Sequence, residues 1–415
     1  MVKRWQLPET LWFVPPERRT RGDLLAALAI VVVVVVAATA VWLISDARAT
    51  ISRPAAEPVP ALKAARDVPS TLRELWNVPS PKTSRPVVAA GSVVTGDGRQ
   101  VDGHDPVTGA VLWTYARDTE LCGVTYVYQD AVAVYPDDRG CGQASTIDGR
   151  TGRRNATRTA YADPEVRLSS DGTTVLSYGD SRLEQWRSDM VRMLSWGALD
   201  ARIKPKVPVQ PICRLTSAAA SASAVSVIES CPGQPEPRLT LLRADKEEDE
   251  PLVKYVPLKG VADDAAQVIA VNGTTTAIYR PTPQPTVDVI DETGTIIAST
   301  LMPKPASPQV VASTAGDYVT WWTGDGVMVF DANGLRYKYT VSPVGEQAPV
   351  GPATVMAGKL LVPVTTGYDV FNPETGAGER HVAVTRPAQS TAVIPATAGA
   401  TLLEQRGDAL VALGQ

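Results

Sequence analysis

Asp105-Pro106-Val107-Thr108-Gly109, followed four residues later by Trp113, is the stretch whose reading decides the fold. It recurs. Asp148-Gly149-Arg150-Thr151-Gly152 repeats it without the tryptophan, and Asn372-Pro373-Glu374-Thr375-Gly376 repeats it near the far end. Shorter relatives are Asp291-Glu292-Thr293-Gly294 and Asp331-Ala332-Asn333-Gly334. The chemistry of the turn is local. An Asp or Asn side chain caps the backbone a few residues on, and glycine takes the positive-φ position that other residues resist. Apolar residues flank each copy: Val111 and Leu112 after the first, Val287, Val289 and Ile290 before one, and Val327, Val329 and Phe330 before another. Each copy therefore reads as the hairpin between two strands.

The spacing converts this turn into an architecture. Gly109 to Gly152 is 43 residues, Gly294 to Gly334 is 40, and Gly334 to Gly376 is 42. Several strands in a unit of that length are the sign of a β-propeller blade. Outermost strands are expected at 73–78, 111–116, 153–160, 191–196, 252–257, 295–301, 335–341 and 378–384, which makes eight blades. Two units are degenerate: Leu183–Val191 lacks the Thr-Gly, and the next carries the acidic insertion Asp245–Glu250, so seven blades is the alternative. Leu72–Pro79 looks like the piece that follows a turn, yet no turn precedes it. At the other end, Thr401–Gly414 is a hairpin without its last strand. The N-terminal strand is expected to complete the C-terminal blade, because closing the ring removes open sheet edges.

Before the repeats, Leu24–Ile44 is 21 residues without a charge, long enough to cross a bilayer as a helix. Lys3, Arg4, Arg18, Arg19 and Arg21 precede it and Trp42 stands near its far end, which predicts a cytoplasmic residues 1–23 and everything beyond Ser45 outside. A cleaved signal peptide is the competing reading, with Ala47-Arg48-Ala49 as a superficial cleavage site. Residues 45–70, with Pro54, Pro58 and Pro60, read as a semi-extended spacer, and 71–415 as the propeller. The four cysteines suit an outside location. Cys122 and Cys141 are 19 apart, Cys213 and Cys231 are 18 apart, and each pair sits alike in its unit. Disulfides Cys122–Cys141 and Cys213–Cys231 are expected, each stabilising by about 3 kcal/mol in the chain-entropy account. No C-x-x-C spacing supports a zinc site.

The Asp-x-x-Thr-Gly-x-x-x-Trp pattern at Asp105–Trp113, with its partial copies over 71–415, resembles the tryptophan-docking repeat of PQQ-like β-propellers, and within them the BamB-like, non-enzymatic members and actinobacterial single-pass membrane proteins with such a domain. The resemblance implies an all-β PQQ-like propeller, eight blades of four antiparallel strands, preceded by one transmembrane helix. It gives Asp105, Thr108, Gly109, Trp113, Asp148, Thr151, Gly152, Asn372, Thr375, Gly376 and Trp76 a structural role, with Trp76, Trp113 and Trp196 packing between blades over the neighbouring turn.

Chemistry is sparse. Quinoprotein dehydrogenases of this superfamily carry an adjacent Cys-Cys pair near their cofactor, which this chain lacks. There are 2 histidines, His104 beside the first turn and His381 in an outer strand, and both read as packing or surface residues. No G-x-S-x-G elbow or phosphate loop occurs. Asp245–Glu250 reads as a solvated loop rather than a calcium site. The net charge is −4, with no basic stretch interleaved with aromatics, which gives nucleic-acid binding no support. The expectation is no catalytic, cofactor or metal residues. The chain reads as a membrane-held, extracytoplasmic interaction scaffold with envelope or membrane protein partners, touching the bilayer through 24–44. A PQQ- or ligand-binding enzyme is one alternative. A sensor read through Arg18-Arg19-Thr20-Arg21 is another.

Overall fold

The computed structural model describes residues 20–43, 45–198, 213–245, 250–262, 264–307, 311–345, 347–387 and 392–415. The chain divides into two compact units, Met1–Thr50 and Ile51–Gln415. In the first, Arg21–Leu43 is a 23-residue helix, long and apolar enough to cross a membrane. It begins three residues before the charge-free run, because Thr20 caps it. Thr20 Oγ1 accepts from the Asp23 N–H at 3.2 Å, while the Asp23 carboxylate accepts from the Thr20 N–H at 2.7 Å. This reciprocal pairing satisfies two of the backbone donors that a helix start leaves open. Ile44 lies outside the described residues.

The second unit is a ring of eight antiparallel blades of four strands each, the first of them extended by a fifth strand. Strands run A to D from the channel outward. Blade 1 is Val87–Ala89, Ser92–Asp97, Gln100–His104 and Val111–Ala116, and blade 2 is Gly123–Val127, Asp130–Asp137, Gly140–Asp148 and Arg154–Thr159. The D strands of blades 3 to 7 are Arg192–Gly197, Leu252–Pro257, Ile296–Leu301, Tyr337–Val341 and Gly378–Ala383, all at the places the repeat predicts. Blade 8 takes Val393–Ala398, Thr401–Arg406 and Ala409–Gly414 from the C-terminus and Arg73–Pro79 from the N-terminus, with Arg73 opposite Gly414 and Pro79 opposite Ala409. The degenerate third and fourth units are complete blades, so the seven-blade alternative does not hold.

Core packing lies between blades rather than within them. Val87, Val101 and Trp113 of blade 1 pack with Ala131, Tyr135 and Ile147 of blade 2, all essentially without solvent contact. A sheet sandwiched between two others is buried on both sides. That is why strands such as Ser92–Asp97 and Lys359–Val364 are nearly all buried and do not alternate.

Strand alternation puts the A–B and C–D turns on one face of the ring and the B–C and D–A connections on the other. The Asp-x-x-Thr-Gly turns are all C–D turns. Asp105 Oδ1 accepts from the N–H groups of Val107 and Thr108 at 2.9 and 2.8 Å. Asp148 does the same for Arg150 and Thr151, and Asn372 for Glu374 and Thr375. Gly109, Gly152 and Gly376 have φ of +71°, +69° and +70°. The Asp331 turn departs from expectation. It has the same five-residue length, so the left-handed position falls on Leu335 (φ +53°) and not on Gly334. Leu335 accepts that strain because its side chain is buried among Trp321, Phe330 and Met302.

The stretch 51–70 is not a free spacer. Ile51–Arg53 adds a fifth strand to blade 1, pairing Arg53 with Thr114. The chain then crosses the turn face as a strap. The N–H groups of Ala55 and Val59 donate to Thr151 and Arg150 of blade 2 at 2.9 Å each. Pro60 lies against Gly91 of blade 1, and Lys63 against Gly399 of blade 8. Val59 and Val68 are buried. Prolines prevented the strap from reading as a strand, but they suit an extended chain whose partners are turns.

The turn also sets a graded test. A Cβ at Gly152 would lie 2.4 Å from the Cβ of Trp113, on top of its left-handed φ, whereas Gly98 has positive φ and open space around it. Gly152→Ala should lower stability by about 2–4 kcal/mol and Gly98→Ala by about 1 kcal/mol, compared by urea unfolding of the two variants.

Candidate functional site

Three arrangements hold the ring together or open it to a ligand: aromatic docks over the C–D turns, buried carboxylate clusters between blades, and the channel mouth. At the first dock, Trp76 of blade 8 lies over Gly109 of blade 1, and its indole N–H donates to the Pro106 carbonyl at 3.1 Å. Trp113 of blade 1 lies over Gly152 of blade 2 and donates to Gly149 at 2.9 Å. Tyr339 of blade 6 lies over Gly376 of blade 7, and its hydroxyl donates to Pro373 at 2.8 Å. In each case the acceptor is the residue after the capping Asp or Asn. The Tyr339 dock carries no tryptophan, so the Asp-x-x-Thr-Gly-x-x-x-Trp pattern does not announce it.

Trp196 packs between blades 3 and 4 as expected, but not over a turn. It stands two residues further along its strand than the docking position, which Leu194 occupies opposite Gln185. Its indole N–H donates instead to the Glu229 carboxylate of blade 4 at 3.1 Å.

That carboxylate belongs to the second arrangement. Glu229 also accepts from Arg238 at 2.8 Å. Between blades 2 and 3, Glu184 meets Arg158, Arg182 and Arg192 at 2.8, 2.6 and 3.2 Å. Between blades 7 and 8, Glu404 meets Arg386 at 2.6 Å and Arg406 at 2.5 Å and accepts from the Tyr368 hydroxyl. Asp288 of blade 5 takes Arg280. Burial opposes the charge of Glu184 and Glu404, but the arginines around each hold both carboxyls below the usual range. Leu183-Glu184-Gln185-Trp186 and Leu403-Glu404-Gln405-Arg406 carried the signal: an acidic residue inside an otherwise buried strand, twice in the same setting.

The channel opens on the B–C and D–A face as a cavity of about 500 Å³. Its lining comes mostly from the first residues of A strands and the connection 81–85, and is largely small: Ala218, Ala219, Val268, Val311 and Ala312. Among the described residues, three of the lining are basic, Lys82, Arg85 and Arg167, and none is acidic. Cys122 is at the same mouth. Its disulfide to Cys141, and the Cys213–Cys231 disulfide of blade 4, each tie the start of an A strand to the region of the B–C connection. Both pairings are those expected.

The remaining sequence candidates have structural partners. His104 is buried, stacked on Trp76, and uses both ring nitrogens, on Thr95 Oγ1 at 2.9 Å and the Gly109 carbonyl at 3.0 Å. His381 is on the rim, 2.7 Å from Asp369. Among the described residues, one group has metal-like proximity, Cys213, Glu229 and Cys231, but two of its members are the sulfurs of a disulfide. Residues 246–249 of the acidic insertion lie outside the described residues.

No protein-family profile and no curated protein matches the sequence. Solved structures do match in fold. The C-terminal WD40 domain of Sif2 is 11% identical, with a TM-score of 0.54 over 84% of this chain and 99% of that one. BamB from Moraxella catarrhalis is 14% identical, with a TM-score of 0.44 over 83% and 98%. Sqt1 from Saccharomyces cerevisiae is 10% identical, with a TM-score of 0.48 over 86% and 98%. The similarity is one of propeller fold.

The buried clusters make the ring acid-sensitive. A carboxyl held below its unfolded pKa of about 4.5 contributes stability that is fully present above that pH and is lost as the pH falls below it. The melting temperature should therefore fall below pH ~4.5 more steeply in the wild type than in Glu404→Gln. At neutral pH, Glu404→Gln should itself cost about 3–5 kcal/mol, because Arg386 and Arg406 lose their buried counterion.

Proposed function

We propose that this chain is a membrane-anchored interaction scaffold of the cell envelope. In this reading the helix Arg21–Leu43 stays in the bilayer with its N-terminus cytoplasmic, and the propeller lies outside and receives a protein partner. The observation that supports it most is the asymmetry of the ring. The strap 51–70 occupies the turn face, whereas on the opposite face the channel mouth is open and no described segment of comparable length lies across it. Two disulfides stabilise that second face, as suits a surface exposed to an oxidising compartment. The basic residues ahead of the helix favour this orientation. A closed ring has no free sheet edge except at its rim, so it offers a rigid platform rather than a moving one.

The scaffold reading is tested with photo-crosslinking side chains in the full-length protein in its native membranes. Positions Asp138 and Pro303, on the B–C and D–A face, should give a discrete adduct with an envelope protein. Glu292, on a C–D turn, should not. An absence of adducts from all three positions would remove the scaffold function. An adduct from Glu292 alone would put the partner on the other face.

A further inference from the structure

The channel mouth holds a half-buried cation with no carboxylate partner among the described residues. Arg85 sits half-buried just before blade 1, and its guanidinium reaches across the channel to the Ala312 carbonyl of blade 6 at 3.3 Å. That is a single hydrogen bond for a group with five donors. Arg85 forms no ion pair among the described residues. Burial pushes its pKa down, and the titratable group beside it is the Tyr126 phenol, which burial keeps neutral. The other two basic residues of the lining differ: Lys82 pairs with Glu120 at 2.9 Å, and Arg167 is exposed to solvent and lies over the Tyr178 ring at 5.4 Å. At four other places an arginine meets a buried carboxylate, at Glu184, Glu229, Asp288 and Glu404. A half-buried guanidinium facing a cavity without such a partner costs stability, and such a cost is commonly kept for a ligand.

We infer that Arg85 receives a carboxylate side chain from an extended acidic segment of the partner protein, inserted into the channel mouth. This rests on the scaffold reading above and names the chemistry of its partner. The guanidinium fork can take both oxygens of a carboxylate. The rest of the lining argues for a peptide rather than a small acid. Beside the neutral hydroxyls of Ser84 and Ser169 it is apolar at Ala218, Ala219, Val268, Val311 and Ala312, a surface for the length of a chain rather than for a second anionic group. A free acid anchored at one point would recover little of the roughly 4–15 kcal/mol that association costs. A peptide spreads its contacts around the mouth, where Lys82 and Arg167 add attraction for neighbouring acidic residues.

The test is calorimetric titration of the full chain in detergent micelles, at low ionic strength, with a synthetic peptide of alternating Glu and Ser and separately with succinate. The peptide should bind the wild type, lose at least about tenfold in affinity in Arg85→Gln, and keep part of it in Arg85→Lys. Arg154→Gln, on the outer strand of blade 2, should leave the affinity unchanged. Arg85→Met should melt at or above the wild-type temperature, since it removes an uncompensated charge. The inference is overturned by a peptide that does not bind, by binding that Arg85→Gln leaves intact, or by Arg85→Met melting well below wild type, which would make Arg85 a strut. Succinate binding as tightly as the peptide would also overturn it, in favour of a small acid. Crosslinks from Asp138 or Pro303 together with a peptide that does not bind would leave the scaffold standing and remove only this inference.

Discussion

Everything in the propeller depends on one pairing between residues more than 300 positions apart, the strand Arg73–Pro79 laid against Ala409–Gly414. Without it, blade 8 ends in an open edge and the ring has a gap between its first and last blades. The pairing also brings Trp76 to blade 1, where it covers Gly109 and stacks on His104, so one strand both completes a sheet and docks it to the next. A contact of such sequence separation forms late and costs loop entropy, which the closed ring repays by burying two further sheet faces.

Around the ring, neighbouring blades are joined by two different chemistries. Aromatic rings over tight turns join blades 8 to 1, 1 to 2 and 6 to 7. Buried carboxylates join blades 2 to 3, 3 to 4 and 7 to 8, through Glu184, Glu229 and Glu404. The ionic joints at 2–3 and 3–4 stand where the docking position holds no aromatic, with Leu194 in blade 3. Decay of the turn motif in the third and fourth units is therefore an exchange of one joint for another. Buried charge is a costly way to hold two sheets together, but its directionality fixes their register.

The repeat was legible because it is local. Asp105 to Gly109 encodes its own turn, the intervening residues encode their own hairpins, and counting them gave eight outer strands and the closure. The cysteine pairs were legible for the same reason, since each spans fewer than 20 residues. The expectations that needed correction were those that depended on a neighbour. Trp196 has the right residue type but is two positions out of register. Gly334 has the right composition, but the turn length passed the left-handed position to Leu335. The strap at 51–70 carries no strand pattern because its partners are turns in blades 1, 2 and 8.

The sequence by itself thus determined the blade, the strand that closes the ring, the cysteine pairs and the apolar helix ahead of them, and favoured eight blades over seven, all from residues close together along the chain or from a repeated period. Only the tertiary structure decided which face the strap covers, which acids answer which arginines, and that Arg85 faces the channel with no carboxylate partner among the described residues. Those depend on side chains that meet across blades, such as Arg85 with Ala312, and no spacing along the chain records which residues the ring will bring together.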